Sequence, residues 1–213
     1  KSNLKSESGD YMTHIKICGI RRPEDIELVN RYMPDFIGFI IDFPKSHRSV
    51  TPQKVENLTK NLESGITKVG VFVNQPIGKV ILLLKENIID IAQFHGNESA
   101  DYIRQVQKET GKKVIKAFEV RSGADIETAL HSPADYLLLD QGKGGGKTFD
   151  WSLIKEIPDK PWFLAGGLSA ENLKNAIKTI KPWGVDISSG VETDGCKDEK
   201  KIREVMKIVK EQI

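Results

Sequence analysis

The chain has 213 residues, of which 38% are hydrophobic and 29% charged, and its formal net charge is +2. This composition is typical of a globular domain and excludes a disordered chain. The lysines are spread among acidic residues, which argues against a nucleic-acid partner, and no apolar run is long enough to predict a membrane span. The two cysteines, Cys18 and Cys196, exclude a disulfide framework and favour a reducing, cytoplasmic setting.

Residues 1–11 are polar, show no hydrophobic period and lack the apolar core of a signal peptide. We interpret them as a tag remnant, with a natural disordered extension as the alternative. The folded domain is then predicted to span 12–213.

From Thr13 onward, short apolar runs rich in β-branched residues alternate with stretches of helical spacing. The predicted strands are HIKIC (14–18), FIGFII (36–41), KVGVFV (68–73), IDIAQF (89–94), KVIKAF (113–118), YLLLD (136–140), WFLAG (162–166) and GVDIS (184–188). The predicted helices begin near Pro23, Pro52, Pro76, Glu98, Gly123, Phe149, Ala170 and Asp198.

Eight strands alternating with eight helices predict an α/β fold of the (β/α)8 TIM-barrel class, as a single compact domain. An open doubly wound sheet is the alternative. It seldom needs eight strands in so short a chain, and no G-x-G-x-x-G follows the first strand.

The carboxyl ends of the strands form the active-site face of such a barrel. The first strand ends in Cys18 and the sixth in Asp140, nearly opposite across the mouth. A thiol and a carboxylate so placed suit base and acid roles in an isomerisation. Taken singly, Cys18 could be a small buried hydrophobe and Asp140 a structural cap or salt-bridge partner.

Glycines and serines follow the last two strands and indicate a phosphate site, because backbone N–H groups at helix starts favour anions. Simple tight turns are the alternative. The residues concerned are Gly166, Gly167, Ser188, Ser189 and Gly190.

Other polar residues fall on the same face of the predicted barrel. Arg48, after the second strand, could bind a substrate carboxylate or lie solvated in its loop. Gln93 and His95 share one face of the fourth strand and are candidate substrate contacts. Lys16 could stabilise a Cys18 thiolate or pair with an acid deeper in the barrel. Cys196 has no recognisable chemistry.

The motifs KICGI, PKSHRSVTP, VGVFVN, AQFHG, GGGKTFDW, LAGGLSAENL and VDISSGVE, in this order, resemble the phosphoribosylanthranilate isomerase family of tryptophan biosynthesis. The resemblance runs from Thr13 to about Glu192. It implies a barrel without cofactor or metal, in which Cys18 is the general base and Asp140 the general acid. It also implies that Arg48 holds the anthranilate carboxylate and that the two glycine-containing loops hold the phosphate.

The implied reaction is an Amadori rearrangement of a phosphorylated small molecule. The substrate's own iminium serves as electron sink, so no metal is needed. Other phosphosugar barrels, a cysteine hydrolase and a non-catalytic binding barrel are the competing hypotheses. The next enzyme of the pathway would need a lysine at the mouth, and a hydrolase would need a histidine beside Cys18. The oligomeric state is left open between monomer and homodimer.

Overall fold

The computed structural model describes residues 12–140 and 158–211. Two predicted features lie outside these residues: the extension at 1–11 and the helix expected from about Phe149. The glycine-rich segment GKGGGK at 142–147 also lies outside them.

The described residues form a closed barrel of parallel strands, as predicted. Each strand pairs with its neighbours in chain order, and the first strand pairs with both the second and the last, which closes the ring. This closure excludes the open doubly wound sheet. The barrel strands are β1 (His14–Cys18), β2 (Phe36–Ile41), β3 (Thr67–Phe72), β4 (Ile91–Phe94), β5 (Val114–Glu119), β6 (Tyr136–Asp140), β7 (Trp162–Ala165) and β8 (Gly184–Ile187).

Helices of the described residues pack around the outside of the ring. They are α1 (Pro23–Tyr32), α2 (Pro52–Thr59), α3 (Ile77–Lys85), α4 (Ala100–Thr110), α5 (Gly123–Leu130), α6 (Ala170–Ile180) and α7 (Glu199–Lys210). None of them has the length and apolar character that crossing a bilayer would require.

Local sequence accounts for most helix starts. Pro23 and Pro52 occupy the first turns of α1 and α2, where a missing N–H costs nothing. The side chain of Ser99 accepts a hydrogen bond from Tyr102 N at 3.2 Å, and that of Asp198 accepts one from Lys201 N at 3.1 Å. These N-caps set the first residues of α4 and α7.

Two predicted boundaries were wrong near the fourth strand. β4 begins at Ile91, two residues later than expected, and α4 begins at Ala100 rather than near Glu98. The Glu98 carboxylate instead accepts hydrogen bonds from the backbone N–H groups of Asn74, at 2.7 Å, and Gly96, at 2.9 Å. It therefore belongs to the loop that follows β4.

Three short elements were not predicted. Ser49–Val50 adds a two-residue strand beside β2, and Ser189–Val191 forms a 3-10 turn after β8. Glu192–Thr193 and Cys196–Lys197 form a small antiparallel hairpin. Cys196 therefore lies in this hairpin.

Two layers of apolar side chains stabilise the barrel. One lies between the strands and the helices and includes Ile17, Phe39 and Leu139. The other lies inside the ring toward its amino-terminal end, where Phe36 and Phe163 meet edge to face with centroids 5.4 Å apart. Because aromatic rings fill this end, the open end of the barrel is the one where the strands finish.

Gly184 shows how tightly this interior is packed. A Cβ at this position would lie 2.7 Å from two ring carbons of Phe163, which is fully buried. Gly184→Ala should therefore destabilise the protein by about 1–3 kcal/mol through overpacking. Gly78→Ala is the matched control, because nothing lies within 4 Å of the added methyl group in α3. It should leave stability unchanged or raise it by up to about 1 kcal/mol. The urea unfolding midpoints of the two variants measure this difference in stability. Equal midpoints would contradict the packing argument.

Candidate active site

A cavity of about 1140 Å³ opens at the carboxyl ends of the strands. The predicted site residues that line it are Cys18, Arg48, Gln93, His95, Asp140, Gly166, Gly167, Ser188 and Ser189. Gly190 is the predicted site residue that does not line it. The fold thus brings residues from six of its strands or strand-ending loops to one cavity.

Cys18 ends β1 with its side chain directed into the barrel, above a buried ion pair. Lys16 Nζ lies 3.0 Å from Asp186 Oδ1, and the Lys16 side chain is fully buried. The pair joins β1 to β8, where the two residues are cross-strand partners. The absence of a side chain at Gly38 makes room for it, since a Cβ there would lie 2.7 Å from Cys18 Sγ and 2.9 Å from Lys16 Nζ.

The thiol is held in its protonated form by burial. Desolvation raises the pKa of Cys18, and the carboxylate of Asp186 adds to this increase. The Lys16 ammonium acts in the opposite direction, through its charge and a hydrogen bond to the sulfur. Both alternatives raised for Lys16 therefore apply, because it pairs with an acid and also favours the thiolate.

Asp140 ends β6, three strands away from β1 around the ring. Its Oδ2 lies 3.5 Å from Nε2 of His95, which follows β4. Burial lowers the pKa of His95, although the nearby Asp140 carboxylate opposes this. The His95 side chain is 41% exposed and is a neighbour of the acid rather than of the thiol.

Arg48 reaches the cavity from the loop after β2. Its Nε and Nη2 donate to the two carboxylate oxygens of Glu192, at 2.8 and 2.6 Å. The Arg48 side chain can pass Gly19 because a glycine has no Cβ, which here would lie 2.5 Å from Arg48 Cδ. The φ of Gly19, +86°, also favours glycine. Glu192 was not among the predicted site residues.

The two candidate phosphate loops, which follow β7 and β8, lie beside each other. Gly166 and Gly167 both have positive φ, 92° and 63°, which favours glycine. Gly190 packs against the other loop so closely that a Cβ would lie 1.9 Å from the Leu168 carbonyl oxygen. The contact between the two loops therefore requires glycine at position 190, independently of any ligand.

Gln93 is 1% exposed and lies inside the barrel on β4. Its Oε1 is buried and has no hydrogen-bond partner within the described residues. An unpaired buried amide oxygen is costly, so a polar group at this position is better explained by a ligand than by packing.

Comparison with known proteins shows the family of this chain. The family model for N-(5′-phosphoribosyl)anthranilate (PRA) isomerase matches residues 15–208. The chain belongs to this family. The N-(5′-phosphoribosyl)anthranilate isomerase of Clostridium acetobutylicum is 45% identical over 208 residues, covering 93% of this chain and 99% of the relative.

Solved structures of PRA isomerases are also similar to this chain. That from Thermotoga maritima superposes with a TM-score of 0.86 at 36% identity, covering 94% of this chain and all of the other. A second, in complex with reduced 1-(o-carboxyphenylamino)-1-deoxyribulose 5-phosphate, gives 0.84 at 35% identity with the same coverage. The family confirms the predicted resemblance, and with it an intramolecular aldose–ketose isomerase of tryptophan biosynthesis.

Sequence reasoning missed the charged groups that support this PRA isomerase site. Asp186, Glu192 and Lys197 are buried or nearly so, as are Glu98 and Lys116 beside His95. Asp186 and Lys116 each gave a signal, as charges inside the apolar runs GVDIS and KVIKAF. Asp186 is the cross-strand partner of Lys16 on the neighbouring strand.

The ion pair below Cys18 predicts opposite shifts of its thiol pKa in two variants. In a Cys196→Ser background Cys18 is the remaining cysteine, and its alkylation by iodoacetamide should accelerate with pH beyond the ordinary thiol pKa of about 8.5. Lys16→Met removes the stabilising ammonium and should move this rise to higher pH. Asp186→Asn removes the opposing carboxylate and should move it to lower pH.

Lys113→Met is the matched control, because Lys113 precedes β5 at the closed end of the barrel and pairs with Tyr136. It should leave the alkylation profile unchanged. Identical profiles for all four proteins would contradict the assigned electrostatics.

Proposed function

We propose that the chain isomerises phosphoribosylanthranilate with Cys18 as general base and Asp140 as general acid. One observation carries the assignment of roles: the two groups line one cavity from strands three apart in an eight-strand ring. A thiol and a carboxylate so separated face a bound substrate from two sides. Proton removal and proton donation at different atoms need this separation.

The substrate's two anionic ends have complementary positions in the cavity. The backbone at Gly166–Gly167 and Ser188–Gly190 would bind the phosphate, since adjacent loops after the last two strands are the usual phosphate site of this fold. Arg48 lies in the loop after β2, and β1 with Cys18 separates this loop from the phosphate loops around the ring. Arg48 would bind the anthranilate carboxylate. This leaves the ribose between Cys18 and Asp140.

Ring opening would come first. Asp140 donates a proton to the furanose ring oxygen as the C1′–O bond breaks, and the nitrogen lone pair forms the C1′=N iminium. His95, whose Nε2 lies 3.5 Å from Asp140 Oδ2, would hold the Asp140 carboxyl group toward the substrate. Gln93 faces the same cavity, and its unpaired amide oxygen suits a ribose hydroxyl as donor.

Removal of the C2′ proton would follow. The iminium acidifies this C–H bond, and the Cys18 thiolate accepts the proton as the electrons move into the C1′=C2′ bond. A raised thiol pKa makes the thiolate scarcer but a stronger base. The positive charges of Lys16 and of the new iminium favour its formation. The enolamine then gains a proton at C1′ and loses one from its hydroxyl group, giving the ketone.

The competing hypotheses fit less well. A cysteine hydrolase needs a histidine beside its thiol, whereas His95 contacts Asp140. A binding barrel would not need a thiol and an acid on opposite sides of the ligand.

The cellular setting and assembly stay predictions. Cys18 and Cys196 are both free thiols, which suits a reducing cytoplasm. A Thermotoga maritima relative is described as a dimer from which monomers were generated, and both states stay open for this chain.

The two-sided mechanism predicts different deuterium isotope effects on turnover in two variants. With substrate deuterated at C2′, Cys18→Ser should show a full primary isotope effect, because C–H cleavage becomes limiting. Asp140→Asn cannot donate a carboxylic proton and should lose about 10²–10⁴-fold in turnover. Its isotope effect should approach unity, because ring opening becomes limiting.

Cys196→Ser and Asp101→Asn are the matched controls. Cys196 lies outside the cavity lining, and the Asp101 side chain is 94% exposed on α4. Both controls should turn over like wild type. A full isotope effect in Asp140→Asn would remove Asp140 from ring opening, and near-normal turnover in Cys18→Ser would remove Cys18 as the base.

A further inference from the structure

Behind Arg48 lies a buried charge cluster that the mechanism does not yet use. Glu192 binds Arg48 through both carboxylate oxygens and also accepts a hydrogen bond from Lys197 Nζ at 2.8 Å. The side chains of Glu192 and Lys197 are 6% and 1% exposed. Neither lines the cavity, whereas Arg48 does.

The geometry of the guanidinium leaves one of its edges unused. Glu192 takes the edge formed by Nε and Nη2, and Nη1 has no hydrogen-bond partner in the part of the chain that the structure describes. A guanidinium can bind one carboxylate along this edge and a second along the Nη1–Nη2 edge. Arg48 can therefore keep Glu192 while it binds a ligand carboxylate.

The charges of the cluster favour the same arrangement. Although burial alone would raise the pKa of Glu192, hydrogen bonds and charges from Arg48 and Lys197 lower it to about 2. With the carboxylate ionised, Arg48, Lys197 and Glu192 carry a net charge of +1 when both bases are charged. One ligand carboxylate neutralises the cluster, whereas without Lys197 two carboxylates would share a single guanidinium.

Lys197 also connects the cluster to the phosphate loop. Its Nζ donates to the carbonyl of Ser188 at 3.0 Å, and Ser188 Oγ donates to the carbonyl of Cys18 at 3.1 Å. The hairpin that carries Glu192 and Lys197 is fixed in turn by Lys201 of α7, which donates to the Glu192 carbonyl at 2.6 Å. The cluster is thus held rigidly behind the cavity wall.

We propose that Glu192 and Lys197 are positioning residues that make the site selective for a carboxylated substrate. Glu192 holds the Arg48 guanidinium with its free edge toward the cavity, and Lys197 supplies the charge that a second carboxylate needs. This inference rests on the proposed role of Arg48 and extends it to two residues that do not touch the substrate.

The test compares two glycosylamines of ribose 5-phosphate, one formed with anthranilate and one with aniline, which lacks the carboxylate. Glu192→Gln should raise KM for the anthranilate substrate by roughly 10- to 100-fold with little change in kcat. Its kcat/KM for the aniline substrate should change little. Lys197→Met should show the same selectivity, and it decides the question if Glu192→Gln does not fold.

Two further variants make the outcomes separable. Glu199→Gln makes the same chemical change in an exposed ion pair with Arg31 and should behave like wild type toward both substrates. Arg48→Met should abolish the preference for the anthranilate substrate, and if it does not, the proposed role of Arg48 fails and takes the inference with it.

If Arg48→Met behaves as expected, three results would still overturn the inference alone. Equal losses with both substrates in the Glu192 and Lys197 variants would show general structural support. No loss of kcat/KM with either substrate would show that the cluster has no role in substrate binding. A lower KM for the anthranilate substrate in Glu192→Gln would show that Glu192 competes with the ligand instead of positioning Arg48.

Discussion

The ion pair between Lys16 and Asp186 is the contact on which the site depends. It spans β1 and β8 inside the ring, at the pairing of the first and last strands that closes the barrel. Removing one partner of a buried pair leaves an uncompensated charge and typically costs about 3–5 kcal/mol. Two opposite charges under one thiol also set how readily Cys18 loses its proton. The same contact therefore serves the closure of the fold and the chemistry above it.

The site is organised as pairs of polar groups around the cavity. Cys18, Asp140 and Arg48 face it, and each has a charged or polar neighbour: Lys16, His95 and Glu192 in turn. Such neighbours fix the side chains in place before the substrate arrives, which removes reorganisation from the reaction. The apolar layer of aromatic rings closes the other end of the barrel, so that access is from the strand ends.

The fold was predictable because its signals are local. Strand runs such as HIKIC and YLLLD and helix starts such as Pro23 needed only period and cap residues. The fold then brought the residues at the strand ends to one cavity. Supporting charges were not predictable in the same way, because their partners are distant in sequence. Arg48 and Glu192 are separated by 144 positions, and nothing near either residue indicates the pair. The boundary error at Glu98 has the same origin, because its carboxylate caps a loop through Asn74, 24 positions away.

The central claim is that acid and base act from opposite sides of one bound substrate, and a crystal structure with a product analogue tests it most directly. Soaking with reduced 1-(o-carboxyphenylamino)-1-deoxyribulose 5-phosphate should place C2′ beside Cys18 Sγ and the former ring oxygen within hydrogen-bond reach of the Asp140 carboxylate. The phosphate should lie at Gly167 and Ser189, and the aryl carboxylate at Arg48. An analogue bound in the reverse direction, or with both groups on one side of the ribose, would contradict the account.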